Sequence, residues 1–529
     1  MISQRQLQKI KLLAAILLFT GVLFAITAPS LYSGENGFIL YTLSGGFTGT
    51  PSYYTHYNYI VHPLISFPIH LLYKWLPSVS WYPLFLLAVS IVSIYHIVVT
   101  SINEKLRGGV NWLVLLALFF VFFRVFILQL EFSYTAILCT IAGFCELTKI
   151  HTGNSQKKIK ITALFFLLLA FALRPHMLIP IMGIALPFFF YTNKKSKRST
   201  ALTLGIAAVF GIIAVFSQKM SFLSLDPTWQ KEENYRSTIY NIYNTHNADT
   251  SVLSETQKNK LELVWSGLLI DNNYLSEQDL QDIHNASKNA KKMVAPPRQE
   301  LYWLFVNNRI YIAALLFFVL YLIFAKINVR LILISFVLFS GGTILLLLTA
   351  KIPNYLLPAG FCFLTVVACR TLFENKHSYT RRETIALTIG CGFLLIFSSF
   401  RIIDDRKIQQ DRMNRFISFQ KITTQNPDKL FIISDNNIIQ GMNAFAPIAS
   451  FPLKNYIDSE FFINNTAVSV LRKFGLSDIS QIPFRNDILF VGRPPEALVR
   501  YFRTKYNIVV NIELVPPTSQ SLSVFRLRA

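Results

Sequence analysis

Glu35 and Glu131 are the residues of this sequence whose type and setting best suit chemistry. The first 225 residues hold four acids, Glu35, Glu104, Glu131 and Glu146, and no aspartate. Glu104 and Glu146 have basic neighbours at the ends of apolar runs, whereas Glu35 and Glu131 have no lysine or arginine within five positions. Each of these two lies just past a long apolar stretch. A carboxylate there is costly unless water, a partner or a substrate compensates it. Glu35 is flanked by Gly34, Asn36 and Gly37, with SGGFTGTP following, and glycines let a backbone approach a ligand closely. Such a carboxylate could take a proton from an acceptor hydroxyl, or orient it. A solvated loop glutamate is the plainer alternative.

Other candidates gather around these acids. The tract Tyr53–His62, YYTHYNYIVH, sets four tyrosines beside His56, Asn58 and His62. Rings next to hydrogen-bonding groups suit sugar faces, and they equally suit a membrane-interface belt. Glu131 lies seven residues after Arg124, a spacing that predicts one helical face and a structural ion pair. Arg174 and His176 bracket Pro175 at one turn, and Lys351 precedes Ile352-Pro353-Asn354-Tyr355 at another. Phosphates call for such cations, arginine with bidentate geometry and lysine as a point charge. Snorkelling to headgroups is the competing reading.

The elements that must position these residues are membrane spans. Of the 529 residues, 53% are hydrophobic and 15% charged, and the mean hydropathy is +0.43, too apolar for a soluble protein. Eleven apolar runs approach the length needed to cross about 30 Å of hydrocarbon. They cover 12–30, 81–100, 111–129, 133–149, 161–174, 176–192, 200–217, 309–325, 329–349, 355–371 and 383–400. The first run follows a basic segment without a small-residue cleavage site, and is expected to stay as an uncleaved span. The net charge of +22 could indicate nucleic acid, but the basic residues collect in loops on alternate sides of the spans. One side takes Arg5, Lys9, Lys11, Lys105, Arg107, Lys157, Lys194, Lys326, Arg330, Arg381 and their neighbours; short loops opposite hold only Lys74, Arg174 and Lys351. This positive-inside bias predicts a cytoplasmic N-terminus, and an odd span count then puts the C-terminus outside. All five cysteines, Cys139, Cys145, Cys362, Cys369 and Cys391, fall inside apolar runs, with no metal-ligand spacing.

The expected architecture is therefore an α-helical polytopic membrane protein over 1–400, with outer loops at 31–80 and 218–308, and a small extracytoplasmic α/β domain over 401–529. The first loop predicts one or two interfacial helices. The second predicts helices over Ser254–Leu268 and Ser276–Lys292, with Ser276 as N-cap. In the last segment KLFIISD, DILFVG and YNIVVNIELV read as strands, Ala467–Phe474 and Pro495–Tyr506 as helices, and the closing SLSVFRLRA as an edge strand.

With these residues in view, the arrangement resembles the GT-C superfamily of polytopic glycosyltransferases. Its members have a cytoplasmic N-terminus and an acidic residue in the first outer loop. Interfacial helices lie in that loop, cations in later ones, and often a soluble domain follows outside. More closely, Gly34 to Tyr82 resembles a group of bacterial membrane proteins whose first loop carries an acidic pair, SG, a TGTP-like turn and LY…P…WY. The matching elements are Glu35-Asn36, Ser44-Gly45, Thr48–Pro51, Leu72-Tyr73, Pro77 and Trp81-Tyr82. The departure is Glu35-Asn36 in place of two acids, which weakens a divalent-metal role and leaves a non-catalytic member open.

The resemblance implies sugar transfer from a polyprenyl-(pyro)phosphate donor to a cell-envelope glycan or lipid acceptor, on the outer face of the cytoplasmic membrane. It implies Glu35 as catalytic carboxylate. Substrate contacts would come from Asn36, His56, His62, Glu131, Arg174, His176, Lys351 and Tyr355. No metal ligand is assigned and no cofactor is required, a divalent metal stays open, and no nucleic acid is expected. The rival functions are an O-antigen-type polysaccharide polymerase or ligase, which would rely on loop arginines, a transporter, and a non-catalytic envelope-assembly scaffold. A transporter needs midplane charges and often repeats, neither of which stands out here.

Overall fold

Each of the eleven apolar runs meets an apolar helix, because in hydrocarbon the backbone must satisfy its own hydrogen bonds. The structure, a computed structural model, describes residues 4–529 except 32–33, 47–50, 54–60, 103–108, 149–155, 192–193, 226, 228, 244–252, 272, 290–297, 350–354, 375–379, 436–437, 447–454, 459–469 and 517–521. The chain opens with α1 (Gln4–Ile26), a two-residue strand β1 (Ser30–Leu31), α2 (Gly34–Ser44), α3 (Pro63–Trp75) and α4 (Trp81–Ile102). Next, α5 (Gly109–Leu118) passes through a π-helical turn at Phe119–Phe123 into α6 (Arg124–Leu128), β2 (Gln129–Leu130) and α7 (Phe132–Leu147). Then come α8 (Gln156–Leu173), α9 (Pro175–Tyr191), α10 (Lys194–Leu225), α11 (Trp229–Tyr243), α12 (Glu255–Trp265) and α13 (Glu277–Asn289). The last helices of the bundle are α14 (Arg298–Phe324), α15 (Arg330–Thr349), α16 (Leu356–Glu374) and α17 (Arg381–Gln425).

Among the described residues seven helices are long and apolar enough to cross a membrane: those at Gln6–Ile26, Trp81–Thr100, Gly109–Leu128, Ala201–Ser224, Leu304–Phe324, Leu356–Phe373 and Arg381–Gln425. Four shorter apolar helices, at Phe132–Leu147, Ile161–Leu173, Met177–Phe189 and Arg330–Leu346, account for the other runs. Burial separates the inner helices from the outer ones. Every residue of α7 is buried, while α10 and α15 leave Ile212, Phe216 and Val337 about two-thirds exposed, as lipid-facing side chains should be. The five cysteines are buried and free.

Helix α17 runs through position 400 without a break over 45 residues, roughly 65–70 Å, twice the hydrocarbon thickness. Its far end feeds a five-stranded sheet built from β3 (Leu430–Ile433), β4 (Tyr456–Asp458), β5 (Ile488–Val491), β6 (Asn511–Leu514) and β7 (Val524–Arg528), with α18 (Glu496–Tyr506) between β5 and β6. The order is β4-β3-β5-β7-β6, parallel across the first three strands and antiparallel on either side of β7. The closing segment is thus an inner strand, which corrects the edge expected for it. Val524 and Leu527 of β7 are buried, while β6 exposes Asn511 and Leu514, so β6 takes the edge.

The 218–308 segment is built onto this sheet. Leu261 and Val264 of α12 and Leu280 and Ile283 of α13 share one core with Leu430, Ile432 and Phe490 of the sheet and Leu498 and Phe502 of α18. A buried carboxylate fastens the join: Asp271 accepts from Asn273 N at 3.0 Å and Tyr274 N at 3.1 Å, and takes Lys505 and the Tyr501 hydroxyl of α18. Ser254 and Gln257 form a capping box on α12, and Ser276 accepts from Asp279 N at 3.2 Å at the start of α13, the cap expected of it.

The sheet in turn grips the helical bundle through the chain leaving β3. A single turn of 3-10 helix, Ile439–Gly441, lies between α2 and α17. Gly37 makes room for it, since a Cβ there would lie 2.6 Å from Ile439 Cγ2. Beyond the turn, Asn443 bridges Ser30, Ala444 N donates to Pro29 O at 3.3 Å, and Ser80 Oγ donates to Ala446 O at 2.7 Å.

Candidate functional site

The short strands β1 and β2 bring the two isolated acids together. They pair in parallel, Ser30 with Gln129 and Leu31 with Leu130. Glu131 leaves β2 directly, in extended conformation, as the residue before α7. Glu35 follows β1 into the first turn of α2. Both carboxylates therefore stand at helix N-termini, where unpaired N–H groups and the helix dipole favour negative charge. The glycine-rich loop expected around Glu35 is a helix start instead, and helix packing, through Gly37, accounts for one of its glycines.

Glu131 is 4% exposed. Its Oε1 accepts from Ser133 Oγ at 2.9 Å and lies 3.9 Å from Arg174 Nη1; its Oε2 has no hydrogen-bond partner among the described residues. Burial pushes the carboxyl up to about 7, the Arg174 charge and the Ser133 hydroxyl oppose that, and the negative charge of Glu35 adds to it. A buried acid with one oxygen unsatisfied and a raised pKa can exchange a proton or meet a donor from outside the chain.

Arg174 occupies the break between α8 and α9, where Pro175 opens the second helix. Its guanidinium lies 5.1 Å from the Phe132 ring centroid and 5.3 Å from that of Tyr355, and it donates to Ser133 Oγ. Stacking holds the planar cation in place while leaving the side chain 19% exposed. Tyr355 stands just before α16; burial raises its phenol, with Arg174 opposing and the charges of Glu131 and Glu35 reinforcing the rise. Glu35, Glu131, Arg174 and Tyr355 thus share one electrostatic neighbourhood.

Glu35 itself is half-buried, and its Oε1 accepts from the Tyr240 hydroxyl of α11 at 2.5 Å. Asn36 turns inward. It is fully buried, and its Oδ1 accepts from the Tyr82 hydroxyl at 2.8 Å, while Tyr82 N donates to the Tyr73 hydroxyl at 3.0 Å. This gives a reason for the amide at position 36. A carboxylate in that place would be a buried charge beside Glu35, and the second acid of the site comes from Glu131 instead.

His62, expected as a substrate contact, has both ring nitrogens engaged within the chain. It is the N-cap of α3: Nδ1 accepts from Leu64 N at 3.1 Å, and Nε2 meets Ala214 O and Ser217 Oγ, each at 3.1 Å. Burial lowers its pKa, so the ring is held neutral. His56 and Lys351 lie outside the described residues, as does the His176 side chain, whose backbone sits in the first turn of α9.

The expected Arg124–Glu131 pair does not form. The helix stops at Leu128 and the chain turns into β2, so a seven-residue spacing no longer means one face. Arg124, fully buried, pairs with Asp405 of α17, which also lies 3.6 Å from Arg401. Two functional candidates carried little sequence signal: Tyr240 lies 205 positions from Glu35, and Ser133 is legible only as a hydroxyl two residues after Glu131. Among the described residues no three His, Cys, Asp or Glu side chains gather as a metal site.

No family model matches this chain, and no curated protein matches it. Among solved structures it is similar to ArnT from Cupriavidus metallidurans in the apo state, with a TM-score of 0.43 and 11% identity over 98% of each chain. It is equally similar to the same protein bound to undecaprenyl phosphate, with a TM-score of 0.43 and 10% identity over 98% of each chain.

Proposed function

We propose that the chain is an integral membrane glycosyltransferase that moves a sugar from a polyprenyl-phosphate or polyprenyl-pyrophosphate donor to a cell-envelope acceptor, on the outer face of the membrane. The observation that carries the reading is the joining of Glu35, Glu131 and Arg174 by the β1–β2 pair at the end of the helical bundle. Two acids and one stacked arginine at a membrane boundary match a reaction in which a phosphate leaves while a hydroxyl loses its proton.

In this mechanism the donor's phosphate lies against Arg174, whose guanidinium neutralises the charge that grows on the leaving oxygen. Glu35 takes the proton of an acceptor hydroxyl. The hydroxyl oxygen then bonds to the anomeric carbon, and the bond from that carbon to the lipid phosphate breaks, its electron pair leaving with the phosphate. Glu131 and Ser133 hold Arg174 in position, and the poise of Glu131 near neutrality lets it return a proton to the departing phosphate. Among the described residues the cation of this mechanism is Arg174, and Lys351, outside them, is proposed as a second cation for the same phosphate.

The test is Glu35→Gln, which keeps the shape and the helix start but removes the base. Cells carrying a stably inserted variant should lose the surface glycan or lipid modification made by the wild type. Wild-type glycan at wild-type protein level would overturn the assignment.

A further inference from the structure

The helix α11 places a second polar group beside Glu35. Tyr240 lies one turn beyond Arg236 and two turns beyond Glu233, so the three share a face of the helix, the face that reaches Glu35. The Arg236 guanidinium lies 5.4 Å from the centroid of the Tyr240 ring. Glu233 is half-buried; burial pushes its carboxyl up to about 7, with Arg236 and Lys219 opposing, so near neutrality it both donates and accepts hydrogen bonds. Ile239 and Ile242, on the neighbouring face, are buried in the core shared with the C-terminal sheet, which fixes how α11 is turned.

The contact between Tyr240 and Glu35 has the form of the productive one. A phenol hydroxyl donating to the carboxylate at 2.5 Å stands where an alcohol must stand to give up its proton to the same oxygen. We propose that the Glu233–Arg236–Tyr240 face of α11 is the acceptor subsite, that its ligand is a saccharide, and that the Tyr240 hydroxyl holds the place taken by the acceptor hydroxyl at Glu35. An aromatic ring, a guanidinium with several donors and a carboxyl suit the faces and hydroxyls of a sugar ring better than an acyl chain. This inference rests on the transferase reading and narrows its acceptor from a glycan or lipid to a glycan.

The experiment uses the full chain in lipid nanodiscs and saturation-transfer NMR with four probes: the methyl glycosides of glucose, galactose, mannose and N-acetylglucosamine. At least one should bind. Tyr240→Phe, which removes the competing hydroxyl and keeps the ring, should tighten that binding by about three- to tenfold, the worth of one hydrogen bond. The double variant Glu233→Gln/Arg236→Gln should weaken it by a similar factor. Unchanged or weaker binding in Tyr240→Phe would overturn the place-holding role and make the phenol a positioning group. Binding of none of the four probes would overturn the saccharide subsite. Loss of glycan in Glu35→Gln with no probe binding removes only this inference; probe binding with a fully active Glu35→Gln removes the transferase reading and with it the acceptor role, leaving a saccharide site alone.

Discussion

Arg174 and Glu131 meet at 3.9 Å across the break between α8 and α9, and this contact, not the nearby Arg124, gives the buried acid its cation. The choice follows from chain direction. Glu131 leaves a strand, so its side chain points to the end of the bundle where α8 ends, while Arg124 is left one helix deeper to tie α17 to the core through Asp405.

Arg174→Ala should remove both the proposed phosphate contact and the partner of Glu131. Transfer activity in membranes is expected to fall roughly 30-fold or more, since truncating one member of a buried charged pair costs about 2–5 kcal/mol. Arg174→Lys should recover only part of it, because an ammonium lacks the planar fork that lies over Phe132 and Tyr355.

The pH dependence of stability carries the mark of Glu131. Its folded pKa, pushed up to about 7, lies above the unfolded carboxylate value. Between the two values the folded chain holds the proton and the unfolded chain does not, so stability falls as pH rises through this window. The loss is about 3 kcal/mol at most. Thermal midpoints of the wild type should therefore drop from pH 5 to pH 8, and Glu131→Gln should flatten the curve. Glu233, raised in the same direction, acts with the same sign, so adding Glu233→Gln should flatten it further.

Asn36→Asp tests why the expected second acid is absent. A carboxylate placed under Tyr82 would be buried beside Glu35, and the variant should lose about 1–3 kcal/mol or more above pH 6. Asn36→Ala should lose a comparable amount at every pH, because the Tyr82 hydroxyl is then left without its acceptor. Thermal melts at pH 5 and pH 8 separate the two.

Gly441→Ala probes the grip of the sheet on α2. A Cβ at Gly441 would lie 1.9 Å from the Arg412 carbonyl oxygen, a backbone atom that cannot swing aside. The turn at Ile439–Gly441 should shift off α17 and α2, with a loss of about 1–3 kcal/mol and lower transfer activity. A melting point and activity equal to those of the wild type would show that the turn does not position Glu35.

Composition and pattern alone determined the helical membrane part. An apolar run of span length has few structures open to it when no water is present, so the eleven runs read directly as helices. The strands β3, β5 and β6, the cap of α13, and the isolation of Glu35, Glu131 and Arg174 were legible for the same reason: each depends on neighbours within a turn or a strand. Tertiary structure decided the rest. The β1–β2 pair, the turn of α6 away from Glu131, the capping role of His62, the inner place of β7, the inward amide of Asn36 and the reach of Tyr240 to Glu35 all join distant stretches of chain. Such contacts are set by how packed helices and strands cross, and a linear pattern carries no record of it. The sequence marked which side chains were too costly to leave alone; packing decided which of them keep company.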